Sequence, residues 1–367
     1  MKKLLAQENS PADPGFSADL IAWQKQHGRH QLPWQNTQDP YRIWLSEIML
    51  QQTQVAAVIP YYQRFLENFA DVQALAAAPL DEVMALWSGL GYYSRARNLH
   101  RCAQQVVAEH GGVFPADGEQ LAALPGIGRS TAAAIAAFSY GMRAAILDGN
   151  VKRVFCRVFG IDGFPGEKRV ENALWQRAES LMPLQDIESY TQGLMDLGAT
   201  LCTRSKPQCA SCPLQARCVA LASGRTAELP TRKPKKTVPE KSTVMLVVVH
   251  QGEVLLEQRP GHGIWGGLSS LPELSRMPSA LLSETVSLHA LEMALVEFGE
   301  IARFAVLPDF SHGFTHYKLQ VKPVQVELLQ RFNFVGQNNY QWVPLRGIAN
   351  AALPAPVKKL LLALTAI

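Results

Sequence analysis

Four of the six cysteines of this 367-residue chain fall within residues 202–218, with the spacing C-x6-C-x2-C-x5-C: Cys202, Cys209, Cys212 and Cys218. Four thiols at that density can close round one metal centre. Structural zinc sites usually take two close pairs set well apart. One uneven run fits a single [4Fe–4S] cluster better, since thiolates hold such cubes. The loop between the first two cysteines carries Arg204 and Lys206, which are placed to meet phosphate. The other two, Cys102 and Cys156, lie in helical stretches and read as core packing.

A second stretch is built for phosphate. In Leu124-Pro125-Gly126-Ile127-Gly128, followed by Arg129-Ser130-Thr131-Ala132, one helix ends, two glycines turn the chain and another helix begins. Without a Cβ at Gly126 and Gly128, phosphate can approach the backbone N–H groups, and the following helix N-terminus favours an anion. Such a helix–hairpin–helix grips the nucleic-acid backbone without reading bases. Downstream, Asp148 of Leu147-Asp148-Gly149-Asn150 stands at a helix start. It reads both as an N-cap and as a carboxylate kept ionised beside DNA. The two are compatible, because a helix N-terminus stabilises the anion.

The elements that must position these groups fall into two classes. Up to about residue 222 apolar residues recur at helical spacing, in segments such as 44–58, 96–109, 130–139, 150–158, 169–182 and 187–199, with Pro and Gly at the breaks. Residues 223–241 are basic, proline-bearing and nearly free of large apolar residues, and read as an extended linker. Beyond it, Thr243–His250 and Glu253–Arg259 form a hairpin pattern round Gln251-Gly252. A helical stretch at 279–298 and strand-like runs at 301–307, 315–328 and 340–343 follow. The expectation is a multidomain chain. An all-α region spans 1–222, with the hairpin at 124–129 and the iron–sulfur loop at 202–218. A basic linker covers 223–241, and an α+β domain covers 242–367.

Charge adds a limit. Residues 1–224 carry 20 Lys+Arg against 20 Asp+Glu and residues 242–367 carry 9 against 9, so the whole net charge of +4 sits in the linker. Net charge does not announce a nucleic-acid binder; local placement must. The apolar run near the N-terminus is too short for a secretory signal and no stretch is long enough to span a bilayer, so the expected location is the cytoplasm, on the nucleoid when DNA is bound, with no membrane partner. Cysteines in a reducing compartment favour metal ligation or burial over disulfides.

Hairpin, Asp148 and cysteine cluster, in this order, resemble the endonuclease III superfamily of base-excision glycosylases. Trp44–Val55 (WLSEIMLQQTQV) and Gly89–Arg97 (GLGYYSRAR) narrow the resemblance to MutY-type adenine glycosylases, over essentially the whole chain. That family excises adenine mispaired with 8-oxoguanine or guanine. The implied partner is therefore double-stranded DNA carrying such a mispair, and the implied state is a monomer. The lyases of the superfamily carry Lys in LPGxGxKTA where this chain has Ser130. An amine there would attack C1′ and form a Schiff base. A serine cannot, which implies hydrolysis without an efficient strand cut.

The resemblance assigns Glu47 as the acid that protonates the departing adenine. Trp44, Leu45, Ile48, Met49 and Leu50 flank it, and an apolar setting raises a carboxyl pKa. It assigns Asp148 to the sugar cation and Asn150 to the support of this carboxylate pair. Arg29, Trp34, Gln192 and Met195 match the adenine pocket, with Gln192 the better polar candidate because an amide can pair with an adenine edge. Gln52 and Tyr92 match residues that wedge into the duplex.

In the tail, Leu255–Pro260 (LLEQRP) and Trp265–Leu268 (WGGL) resemble the Nudix-like domain shared with the nucleotide hydrolase MutT. The stretch ALEMALVEFGE (290–300) lacks the clustered carboxylates that hold Mg²⁺ in a working Nudix box, which implies recognition in place of hydrolysis. The family's lesion-reading turn corresponds to Phe314, Thr315 and His316, with Thr in the family's Ser position. Three other readings stand beside this one. An endonuclease III-like lyase on oxidised pyrimidines conflicts with Ser130. A Nudix hydrolase with a DNA-binding appendage conflicts with the degenerate box. A non-catalytic iron–sulfur DNA-binding protein leaves Glu47 and Asp148 without a role.

Overall fold

The computed structural model describes residues 13–233, 238–261, 263–276, 286–314, 316–332 and 339–365. The helices are α1 (Pro14–His27), α2 (Pro40–Leu50), α3 (Val55–Asn68), α4 (Val72–Ala77), α5 (Leu80–Trp87), α6 (Ser94–His110), α7 (Gly118–Ala123), α8 (Arg129–Tyr140), α9 (Gly149–Val158), α10 (Lys168–Ser180), α11 (Ile187–Asp196), α12 (Val219–Ala222), α13 (Leu288–Leu295) and α14 (Ala355–Thr365). Their starts follow local chemistry. Asp13 and Asp39 cap α1 and α2, accepting from the N–H of Phe16 at 3.1 Å and of Tyr41 at 2.9 Å, and each is followed by Pro at the first helical position.

Contacts divide the chain into two compact units, one of residues 1–77 and 98–235 and one of residues 78–97 and 236–367. The core of the first gathers Phe16 and Leu20 from α1, Val154 and Phe155 from α9, Leu174 from α10 and Leu194 from α11. Phe16 meets Phe155 edge to face, with ring centroids 6.0 Å apart. Each such fully buried side chain stabilises the fold by about 1.5–3 kcal/mol. Cys102 and Cys156 are buried in cores, as expected.

Two expectations for this region need correction. Residues 44–58 do not form one helix: α2 ends at Leu50, and α3 begins only at Val55. Gln51–Gln54 contain no glycine or proline to mark the break, yet Gln51 leaves the helical region at ψ 112° and Gln52 follows at φ +57°. The linker is also only partly a tether. Leu229 is buried and its carbonyl accepts from Arg157 Nε at 2.8 Å, while Thr231 Oγ1 accepts from the Gly163 N–H at 3.2 Å. Residues 224–231 thus lie against the first unit, because their one large apolar side chain is buried and its carbonyl satisfies a buried guanidinium. Residues 234–237 lie outside the described residues.

The second unit is a mixed sheet of β1 (Glu240–His250), β2 (Glu253–Gln258), β3 (Ser269–Ser270), β4 (Gly299–Val306), β5 (Phe310–Gly313), β6 (Lys318–Arg331) and β7 (Tyr340–Pro344). The strand order is β3-β2-β1-β6-β4, with β7 on β2 and β5 on β6. β1 runs parallel to β6, while the other pairs are antiparallel. The β1–β2 hairpin turns at Gln251-Gly252, both with positive φ, as a two-residue turn matched to strand twist requires. The expected helix at 279–298 is seen as α13 alone; residues 277–285 lie outside the described residues. Residues 78–97 join this unit: Ser88 Oγ donates to the Leu353 carbonyl at 2.9 Å and Arg97 donates to the Gly266 carbonyl.

Candidate active site

A cavity of about 500 Å³ opens in the first unit, and its wall includes Arg29, Trp34, Glu47, Gln192 and Met195. Five of the side chains expected at one pocket are therefore brought to one place, from the loop after α1, from α2 and from α11. Trp34 is almost fully buried and packs edge to face on Tyr62, centroids 5.4 Å apart, so it forms wall structure as well as lining. Glu47 sits between Ser46 and Ile48, both buried. Its carboxyl accepts no hydrogen bond among the described residues. Burial, and secondarily the charge of Asp148, pushes it up to about 8.

Asp148 is buried too, but its surroundings supply donors. It caps α9: Oδ1 accepts from the Val151 N–H at 2.8 Å and Oδ2 from Asn150 Nδ2 at 3.2 Å. Burial raises its carboxyl above the ordinary value, while the N–H groups of Val151 and Asn150, the Arg153 guanidinium and the Asn150 side chain all act to favour the anion. Glu47 has no such donors. Burial raises both carboxyls, and what separates them is that Asp148 has donors on both oxygens to support its charge. Two N–H groups of Arg153 extend the arrangement, one to Asn150 Oδ1 at 2.8 Å and one to the Cys202 carbonyl at 2.7 Å.

Several positioning residues here carry no motif. Gly198 lies in a π-helical turn (Leu197–Leu201) after α11, and a Cβ there would stand 2.5 Å from Asn150 Cβ; only glycine lets that turn lie against α9. Asp196, fully buried, accepts from Arg29 and Gln192. Its one visible signal is the i,i+4 spacing from Gln192, which puts both on one face of α11. Ser130, half-buried on α8, accepts the Leu147 N–H on Oγ at 3.0 Å, which fixes the residue before Asp148.

The four cysteines Cys202, Cys209, Cys212 and Cys218 all line one small apolar cavity together with Val154, Leu197 and Leu201. Among the described residues no group of three or more His, Cys, Asp or Glu is arranged to hold a single metal ion. A cube instead spreads its thiolates over four irons, so convergence on one point is not required of it. Burial pushes the Cys212 thiol up to about 11, and the neighbouring thiols add to this. Four apolar-walled thiols with a buried cation beside them suit a cluster that takes up thiolate charge. That cation is Arg157, 2% exposed, whose N–H groups reach Cys202 Sγ at 3.3 Å, the Thr203 carbonyl at 2.7 Å and the Arg204 carbonyl at 3.2 Å. Arg204 and Lys206 are exposed on the same loop.

The hairpin joins α7 to α8 as expected, and its two glycines differ. Gly126 has φ +79° and a Cβ would meet Asn98 Cβ at 2.8 Å, whereas a Cβ at Gly128 would meet nothing within 4 Å. Gly126 is demanded by the fold itself, and Gly128 keeps an open approach to the N-terminus of α8. Gln52 and Tyr92 are both exposed and both hold positive φ, +57° and +49°, a strained state for residues with a Cβ.

A family model for HhH-GPD superfamily base excision DNA repair proteins matches residues 45–180, and a Nudix-domain model matches residues 243–363. The adenine DNA glycosylase of Buchnera aphidicola subsp. Acyrthosiphon pisum (strain APS) is 35% identical over 350 residues, 94% of this chain and 96% of that protein. This chain belongs to the adenine DNA glycosylase family. The family member of Mus musculus is 34% identical over 396 residues, 94% of this chain and 76% of its own length. A solved thermostable thymine-DNA glycosylase superposes with a TM-score of 0.52 at 30% identity, covering 57% of this chain and 95% of that one, and so matches the helical part of the adenine DNA glycosylase fold.

The tail of this family member carries a second cavity, of about 650 Å³, lined by Tyr92, Arg97, Trp265, His312, Phe314 and His316 among others. Phe314 packs in an aromatic cluster: its ring lies 4.7 Å from His312, 5.0 Å from Tyr317 and 5.5 Å from Trp265, centroid to centroid. Thr315, the expected lesion reader, lies outside the described residues.

Proposed function

We propose that the chain hydrolyses the N-glycosidic bond of adenine paired with 8-oxoguanine or guanine in duplex DNA. The observation that carries this reading is the unpartnered Glu47 carboxyl, pushed up to about 8, on the wall of a cavity that also presents Arg29, Gln192 and Met195. Adenine inside a duplex cannot reach such a cavity, so the nucleotide must flip. Gln52 and Tyr92 act as wedges that fill the gap, and Gly126, Gly128, Arg204 and Lys206 hold the backbone phosphates.

Cleavage passes through an oxocarbenium-like state. Glu47, protonated at neutral pH, gives its proton to N7, so the base departs neutral. Asp148 faces the developing cation, and its cap bonds with Asn150 and Val151 hold the carboxylate in place. Water completes the hydrolysis. Ser130 offers no amine, so no Schiff base forms. Cys202, Cys209, Cys212 and Cys218 would hold a [4Fe–4S] cluster, and as its ligands they would tie down the loop that carries Arg204 and Lys206. The cavity lined by Phe314 and His316 receives the 8-oxoguanine opposite the adenine, with Thr315 offering a hydroxyl to its N7–H or O8.

The deciding experiment incubates purified protein with a duplex bearing A opposite 8-oxoguanine and then cleaves abasic sites with alkali. Alkali-dependent cutting at the adenine position is expected. Cutting without alkali, with borohydride-trappable DNA, would show a lyase, and no cutting at all would remove the reading.

A further inference from the structure

Among the cavity-wall residues, Gln192 and Arg29 share one anchor. Asp196, the last residue of α11, is fully buried, and both of its oxygens are occupied from the cavity side: Oδ1 by Arg29 Nε at 2.6 Å and by Gln192 Nε2 at 2.8 Å, Oδ2 by the Arg29 N–H at 2.8 Å. This is an expensive place for a carboxylate. It is fully buried, and a buried charge is costly unless it is paired and hydrogen-bonded. Arg29 offsets that cost.

The chemistry of the contact has a consequence for recognition. An ionised carboxylate only accepts hydrogen bonds, so the amide atom of Gln192 facing Asp196 must be the NH₂ group. Its Oε1 is then turned away from Asp196, as an acceptor at the cavity wall. The terminal guanidinium nitrogens of Arg29 have no partner among the described residues and remain as donors. We infer that Asp196 is a positioning residue for base selection: by fixing the orientation of the Gln192 amide it makes the pocket select purines with a 6-amino group and reject those with a 6-oxo group. An amide left to itself can swap donor for acceptor by rotation, and would serve either purine. Buried polar groups that lose their partner give strong discrimination.

The inference rests on the glycosylase reading above. Its test is a ratio of single-turnover excision rates, measured with the full chain on two duplexes that differ only in adenine or hypoxanthine at the target position. A ratio taken within one preparation does not depend on how much of the protein is folded. Asp196→Asn presents an amide that can either donate or accept, so it frees Gln192 to rotate. The adenine-to-hypoxanthine ratio is expected to fall by about tenfold, the size of one hydrogen bond exchanged. In a Gln192→Leu background the same Asp196→Asn change should leave the ratio where Gln192→Leu alone has put it. A ratio unchanged by Asp196→Asn, with both rates lowered equally, would show a purely structural role and overturn the inference. A ratio that falls further in the Gln192→Leu background would overturn the route through Gln192. Failure of the wild type to excise adenine would remove the glycosylase reading and this inference with it.

Discussion

At the scale of single residues, the two carboxyls make opposite predictions. Asp148→Asn keeps an N-cap of nearly equal strength, so the fold should tolerate it. Single-turnover excision should nonetheless fall by at least about a hundredfold while duplex binding survives; near-normal excision would leave Asp148 as a cap and nothing more. Glu47 is judged by pH. Its carboxyl must be protonated to act, so excision should decline as pH rises through about 8. The same shift bears on stability. The folded value lies above the ordinary value of 4.5, so the contribution of Glu47 is fully present at low pH and is lost as pH rises from about 4.5 through about 8. Glu47→Gln removes that loss, on the order of a few kcal/mol. Its melting temperature should exceed that of the wild type by more at pH 8.5 than at pH 5, and an equal gap at both pH values would contradict a buried acid. The helix start at Asp148 was legible in the sequence, and Glu47 was singled out by the family resemblance, with an apolar flank that suits a raised carboxyl. Asp196, Arg157 and Gly198 were not, because what matters about them is burial and a neighbour far along the chain. Arg157 meets Leu229 across 72 positions, and no spacing rule registers such a pair.

At the scale of elements, the hairpin separates structural from binding glycine. Gly126→Ala must place a Cβ at positive φ and against Asn98, and should destabilise by about 2 kcal/mol or more. Gly128→Ala meets open space and should lose at most about 1 kcal/mol through poorer capping, while duplex affinity falls on any sequence. Thermal melts and binding at one fixed salt concentration would check both, and equal losses of stability would erase the distinction. The cysteine loop makes a second prediction. Its spacing and the shared apolar cavity call for about four irons and four sulfides per chain; zinc without iron in elemental analysis would refute it. The spacing of that loop could be read from the sequence because ligand sets are local. The break between α2 and α3 could not, because Gln51-Gln52-Thr53-Gln54 contains no breaker and the turn is imposed by what surrounds it.

At the scale of the whole molecule, the basic stretch after residue 222 is less of a spacer than its composition suggests. Arg157 is satisfied partly by the Leu229 carbonyl, and Gly163 by Thr231. A fragment ending at 224 strips the Leu229 carbonyl from the buried Arg157 guanidinium and the Thr231 hydroxyl from the Gly163 N–H, whereas one ending at 233 keeps both. The longer fragment should melt higher, by an amount corresponding to roughly 1–3 kcal/mol for the uncovered guanidinium; coincident melts would show those contacts to be idle. The two-part plan, helical then mixed sheet, was legible from the change in apolar period. The grouping of residues 78–97 with the tail was not, since Ser88 finds Leu353 across 265 positions. Both fragments keep every side chain that lines the first cavity, but they lose the Leu353 and Gly266 carbonyls to which Ser88 and Arg97 donate.

Gln52 and Tyr92 hold backbone angles that glycine would adopt without penalty. The free protein would therefore be steadier with glycine at either position, by roughly 1 kcal/mol if the strained angle dominates. A laboratory selection that rewards heat resistance alone would drift toward glycine at 52 and 92, and toward glutamine at 47. On the proposed reading each step would make a better-behaved protein and a poorer repair enzyme, so the positions where stability is easiest to gain coincide with those the repair reaction needs.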